Sequence, residues 1–351
     1  MTVNSRYTIR LSKPAEVGEE RWISFISASN GSVYHHPAWH RVIGRTYGIR
    51  PVYFIASGPD GSIRAGMPAG LLKGLLRGER IVSYPFSDVC GPVCAAGEEA
   101  AGFIEALLRQ YRDYESVEIR AGEECSALSK REAGYVNFEI RLEGSAEKLF
   151  SAFHPDCVRR QVRKAFKAGL DAYECSSLRD FRDFYGLHLK TRKRQGAPVQ
   201  PFTFFRNIFE VLCPSALASL ILVKKNAVAV SGVLMLRFGD RAYYKFGATD
   251  ERHFSSGAAQ LALWTAIKKA SDEGYAFFDL GRTFTGNKGL MDFKSRWAAQ
   301  ARPLYYLRWP EQRRALKDEG APAVRVASAL IKALPVFSNR LLGRLLYRYL
   351  A

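Results

Sequence analysis

Residues 243–297 constrain the fold more than any other stretch of this chain. Tyr243, Tyr244 and Phe246 read as a strand, and Ser255, Ser256, Gly257, Ala258 and Ala259 as a small-residue turn. An amphipathic helix then runs to about Glu273, and a second strand ends on Phe277, Phe278, Asp279, Leu280 and Gly281, followed by Arg282, Lys288, Phe293, Lys294 and Arg296. A strand, a helix that starts on Ser and Gly, and another strand end gather backbone N–H groups and cations around one spot. Such a spot suits a phosphate or a developing oxyanion.

The rest of the chain repeats this plan. Residues 51–57 and 63–71 read as a hairpin turning at Gly58-Pro59-Asp60-Gly61, and residues 217–224 and 228–237 as another turning at Lys225-Asn226. Each hairpin leads to a helix, 97–111 in the first half and 257–273 in the second, and each helix to a strand, 116–120 and 275–280. This is a duplicated α/β unit. With 351 residues, 47% of them hydrophobic, there is material for two cores. The expected division is residues 1–148, residues 149–310 and a basic, amphipathic, helical tail over 311–351.

Two basic helices are expected early in the second half. Val158, Val162, Ala165 and Phe166 share one face, with Arg159, Arg160, Arg163, Lys164 and Lys167 around the other, and Gly169 ends the helix. A helix over 177–193 ends in Lys190, Arg192, Lys193 and Arg194, cations that suit a helix C-terminus even without a ligand. The tail sets Leu330, Leu334, Phe337, Leu341, Leu345 and Tyr349 against Arg325, Lys332, Arg340, Arg344 and Arg348, a pattern for packing on the protein (the first domain) or lying on a membrane.

The formal charge of +18 raises the local concentration of anionic partners. Basic residues outnumber acidic ones between Asp156 and Gly196 and again between Tyr305 and Ala351; a solvated basic face accounts for either run alone, and together they favour a polyanion such as tRNA, a nucleotide diphosphate or an anionic membrane face. The apolar runs are strand-length, so no transmembrane helix is expected, and the polar N-terminus carries no secretory signal. The cytoplasm is the expected compartment, with peripheral contact at the inner membrane allowed. Cys90, Cys94, Cys125, Cys157, Cys175 and Cys213 show no CxxC pair or zinc spacing, and His36 and His40, four residues apart, have no third ligand, so no metal is expected.

Several motifs in fixed order carry a family resemblance: His36-Pro37-Ala38-Trp39; Val82-Ser83-Tyr84-Pro85-Phe86-Ser87-Asp88 leading to Gly91-Pro92-Val93; the Arg-Lys-Ala-x-Lys-x-Gly run within 158–169; Thr191-Arg192-Lys193-Arg194-Gln195-Gly196; Phe277-Phe278-Asp279-Leu280-Gly281; and Leu290-Met291-Asp292-Phe293-Lys294. Over residues 33–307 the chain resembles the Fem (FemABX) non-ribosomal peptidyltransferases and the FemAB-like proteins of Gram-negative exopolysaccharide and protein-sorting clusters. The resemblance implies an α/β (α+β) architecture of two tandem GNAT-like domains, each a mixed, mostly antiparallel sheet flanked by helices. It also implies transfer of an acyl group, in the best-known members an aminoacyl group on tRNA, to an amine of a diphosphate-bearing peptidoglycan precursor or a saccharide acceptor.

Under that resemblance Lys294 is the cation for the oxyanion and Arg194 a phosphate ligand; each is otherwise a surface cation. Asp88 can take or orient the proton of an attacking amine, although turn geometry alone also places Asp there. Arg282 and Lys288 follow a strand end that faces a cleft in α/β folds. Trp39, Tyr244, Phe293 and Arg296 complete the expected substrate site, with Trp39 equally a core residue. Ser256, Gly257 and Ala258 are the candidate cofactor turn. Phe254 stands where acetyl-CoA enzymes of the GNAT fold carry Arg or Gln, so the turn also reads as a Ser-capped helix start. The acyl donor stays open between aminoacyl-tRNA and acyl-CoA or acyl carrier protein, with no tightly bound cofactor; a non-catalytic RNA- or membrane-binding module is the remaining alternative.

Overall fold

The computed structural model describes residues 7–73, 79–128, 133–310, 322–333 and 335. They form two compact units, one of residues 7–136 and 302–310, the other of residues 137–301 and 322–333.

The first unit begins with β1 (Ile9–Ser12), α1 (Pro14–Val17), α2 (Glu19–Ala28) and α3 (Pro37–Tyr47). The hairpin β2 (Pro51–Ser57) and β3 (Ile63–Lys73) lies where the Gly-Pro-Asp-Gly signal puts it, with Gly61 at φ +78° and Asp60 accepting a bond from the Ser62 amide. Then come β4 (Glu79–Ser83), β5 (Val93–Cys94), α4 (Ala100–Gln110) and β6 (Ser116–Ala121). The strand order runs β1-β2-β3-β4-β6, with β5 on β3. Phe103, Ile104, Ala106 and Leu107 form one face of α4 and close a core with Phe54, Met67, Ile81 and Ile119.

The second unit contains β7 (Tyr135–Arg141), α5 (Ala146–Ala152), α6 (Arg160–Lys167), β8 (Asp171–Glu174), α7 (Leu178–Gln195) and α8 (Phe202–Val211). It continues with β9 (Ala218–Lys225), β10 (Val228–Phe238), β11 (Arg241–Thr249), α9 (Ala258–Asp272), β12 (Phe277–Phe284), α10 (Lys288–Ser295) and α11 (Pro322–Ala333). The order is β7-β12-β11-β10-β9-β8, antiparallel from β8 to β11 and parallel between β11 and β12. Helices α7 and α9 both pack on β10 and β11. Each unit is thus a mixed, largely antiparallel sheet flanked by helices, as expected.

The final strand, β13 (Gln300–Trp309), pairs its residues 305–309 antiparallel with β6 and so completes the first sheet. The compact units divide after Val136 and again before Arg302, whereas the sequence reading puts the divisions at 148/149 and 310/311. Local pattern shows where β7 and β13 lie; it does not show which sheet each joins. Pairing decides that: Asn137 bonds Asp279, the Leu142 amide bonds the Ala276 carbonyl, and Glu139 pairs with Arg241.

Of the tail, α11 leans on the end of α7, with Ser328 Oγ 3.5 Å from the Gln195 carbonyl oxygen. Leu334, Phe337, Arg340, Leu341, Arg344, Leu345, Arg348 and Tyr349 lie outside the described residues, as does all of 311–321.

Candidate active site

Strands β11 and β12 run together for three residue pairs, Arg241–Phe277, Ala242–Phe278 and Tyr243–Asp279, and the ladder ends there. Against β10, the register jumps between Leu234–Phe246 and Met235–Tyr244, so Lys245 is the extra residue of a bulge. Such a bulge twists and re-aims its strand. In an otherwise continuous sheet the two strands therefore part, at the level of Tyr244 on one side and Leu280 on the other. Half-buried Tyr244 has its hydroxyl folded over Gly247, where a Cβ would overlap it, and burial pushes its pKa up to about 12. It is a neutral hydrogen-bond donor at working pH.

Lys294 comes to this place from α10. Asn287 caps that helix by accepting the Leu290 amide at 3.1 Å, and Lys294 sits in its last turn, 4% exposed. Its Nζ donates to the carbonyls of Gly281 at 2.6 Å and Arg282 at 3.2 Å and lies 5.8 Å from the Phe138 ring centroid. Gly281 adopts φ +75°, and Asp279 Oδ1 accepts its amide at 2.5 Å while Asp279 Oδ2 accepts from Asn137 at 2.8 Å. Asp279 is thus a structural acceptor that shapes the strand end, and Lys294 is no surface lysine. A buried ammonium fixed beside a strand end is preorganised for charge developing there. Of its neighbours, Phe293 is half-buried with its ring 6.3 Å from that of Trp297, Arg282 is half-buried, and Lys288 and Arg296 are exposed.

The turn before α9 differs from its sequence reading. A short 3-10 helix (Glu251–Ser256) precedes it, and Ser256 Oγ donates to the His253 carbonyl at 2.7 Å instead of capping α9. Gly257 is the N-cap, at φ +81°, and Ala258 is buried behind it. A Cβ on Gly257 would overlap the Gln161 carbonyl oxygen of α6. Helix packing therefore requires this glycine whether or not an anion binds. Arg194 is exposed at the end of α7 with its guanidinium 4.5 Å from the Phe254 ring centroid. The cation missing from the sequence motif stands in space on the very phenylalanine that replaced it.

Asp88 belongs to the first unit. Tyr34 donates to its Oδ2 at 3.0 Å, Tyr306 donates to its backbone carbonyl at 2.7 Å, and Arg120 donates to the Ser87 carbonyl at 2.9 Å. Phe86 takes φ +64°, rare for an aromatic residue, and packs on Tyr47 with 4.5 Å between ring centroids. A left-handed bulky residue costs of the order of 1–3 kcal/mol and persists only where its surroundings enforce it. The half-exposed Asp88 carboxylate is the group this loop presents. Trp39 is fully buried with its ring edge on Tyr34, so it supports that loop from the core instead of lining an accessible surface.

His36 accepts the Ala38 amide as the cap of α3, and His40 bridges Tyr53 and the Tyr34 carbonyl. Burial lowers their pKa values to about 4 and about 3. Among the described residues no group of His, Cys, Asp and Glu has the geometry of a metal site, and the six cysteines are free thiols. Buried Cys90 is pushed up to about 12, which leaves it a poor nucleophile. Tyr34, Tyr306, Arg120, Asn137 and Gln161 escape the sequence reading, because each meets its partner through the fold and not through neighbouring residues.

Residues 157–295 match the family of acetyltransferase (GNAT) domains. Among solved structures the chain is similar to FemX, with a TM-score of 0.64 at 16% identity over 85% of this chain and 97% of that one. It is also similar to the C-terminal domain of a putative lysylphosphatidylglycerol synthetase from Agrobacterium fabrum (TM-score 0.54, 12% identity, 92% and 96% covered). A tandem GNAT protein from the clavulanic acid biosynthesis pathway gives a TM-score of 0.52 at 10% identity, with 85% and 98% covered. No curated protein matches the sequence significantly. The chain shares the fold of FemX and of a tandem GNAT protein, and its residues 157–295 match an acetyltransferase (GNAT) domain.

Proposed function

We propose that this protein transfers an aminoacyl group from aminoacyl-tRNA to an amine on a cell-envelope acceptor, a diphosphate-bearing peptidoglycan precursor or an exopolysaccharide intermediate. The observation that carries the reading is the buried ammonium of Lys294 beside the parting of β11 and β12. The acceptor amine attacks the ester carbonyl carbon, and the carbonyl oxygen becomes an oxyanion that Lys294 stabilises. The carbon–oxygen bond to the tRNA ribose then breaks, the amide forms, and the proton released by the amine leaves with the ribose hydroxyl or through a carboxylate. Within the first unit Asp88 is the proposed carboxylate for an amine, and within the second unit Arg194, Arg282, Lys288 and Arg296 are the proposed cations for phosphate. Tyr244 and Phe293 are the proposed lining of the acyl site.

The packing at Gly257 weighs against acyl-CoA. A carbonyl oxygen of α6 presses on the turn that would cradle its pyrophosphate, and Ser256 is committed to His253. The Arg194–Phe254 stack keeps acyl-CoA or acyl carrier protein as the second reading, because it returns a cation to that turn. Turnover of labelled aminoacyl-tRNA with amino-sugar and muropeptide acceptors supports the first reading. Turnover of acyl-CoA in its place supports the second, and binding of RNA or vesicles with no transfer from any donor supports a non-catalytic module. The structural relatives fit a reaction in cell-envelope synthesis, and the chain has no helix, among the described residues, long and apolar enough to cross a membrane.

A further inference from the structure

We propose that the outward face of α11 is a docking surface for an anionic phospholipid bilayer. Helix α11 meets the end of α7 through Ser328, whose Oγ lies 3.5 Å from the Gln195 carbonyl oxygen, and Lys332 lies against Gly196 on the same side. Residues 328 and 332 are one turn apart. Val326 and Leu330 are also one turn apart, about 200° round the helix from Ser328 at 100° per residue. They point away from α7, and each is 61% exposed. Large aliphatic side chains are usually inside, and an apolar helix stripe turned outward calls for an occupant.

Charge selects that occupant. Within residues 322–333 the sequence carries Arg325 and Lys332 and no Asp or Glu. The last turn of α7 beside α11 adds Arg192, Lys193 and Arg194. A helix with aliphatic residues on one face and cations alone for charge lies in the interface of an anionic membrane, aliphatic side chains among the acyl chains and cations at the headgroups. Single-stranded nucleic acid shares the need for cations, but it takes aromatic rings on which bases stack, and Val326 and Leu330 offer none. A bilayer uses both features. The inference stands apart from the choice of acyl donor.

Cosedimentation of the full chain with vesicles tests it, using phosphatidylcholine alone or mixed with phosphatidylglycerol, at low and high salt. The chain is expected to bind only the anionic vesicles, more weakly in salt. Val326→Glu/Leu330→Glu is expected to weaken that binding at least 10-fold while melting and binding tRNA as the unaltered protein does. Equal vesicle binding by the variant, or none by the unaltered protein, overturns the proposal. So does a lowered melting temperature, which would mean the face is covered by its own chain. A dimer that the variant converts to monomer would assign the face to a second copy, and loss of tRNA binding would assign it to nucleic acid.

Discussion

Single residues in this protein are fixed by contacts that sequence neighbours do not reveal. Gly257 looks like half of a phosphate-binding turn, yet φ +81° and the Gln161 carbonyl explain it without a ligand. Gly257→Ala is expected to destabilise the second unit by about 3 kcal/mol or more, since it combines left-handed strain with a backbone overlap; a thermal melt measures this. The Phe293-Lys294 pair is legible through its resemblance to a family motif. Its burial is not, because that depends on α10 packing against a strand end shaped by Asp279 and Asn137. Likewise Asp88 stands out in its loop, but its partners lie 54 and 218 residues away. Tyr34→Phe removes one bond to a carboxylate, so a loss of about 1.5–3 kcal/mol is expected in denaturant unfolding of the first unit.

Elements were easier to read than their partners. Both hairpins, α4, α9 and the strand before Gly281 follow from turn residues and apolar spacing, all local signals. The bulge at Lys245 and the parting of β11 from β12 leave no such signal, since register is set by pairing. The contact between α7 and α11 was equally hidden. It turns on Gly196, at φ +67°, where a Cβ would overlap Ser328. Gly196→Ala should displace α11, and limited proteolysis should then cut within residues 322–333 faster than in the unaltered chain. An unchanged cleavage pattern would show that this contact does not hold the helix.

At the scale of the whole molecule, four histidines make stability depend on pH. Burial lowers His35 and His36 to about 4 and His40 and His188 to about 3, from an ordinary 6.5. The unfolded chain therefore takes up protons first. Stability is complete above pH 6.5 and falls as pH drops towards 4, by up to about 1.4 kcal/mol per pH unit for each histidine. Three of the four are in the first unit, so that unit is expected to melt first when calorimetry is repeated from pH 7 to 4. Glu118 adds to this only below 4.5: against the upward push of burial, Arg120 and Arg308 hold it at about 2. The duplicated plan of the chain was visible in its hairpins, whereas the return of β13 to the first sheet was not, since a strand does not name its partner. The most direct test of the account is the single-turnover rate of transfer from aminoacyl-tRNA to an amine acceptor, compared between the unaltered protein and a folded Lys294→Met variant. The account predicts a rate about 100-fold lower or worse with donor binding retained; equal rates would contradict it.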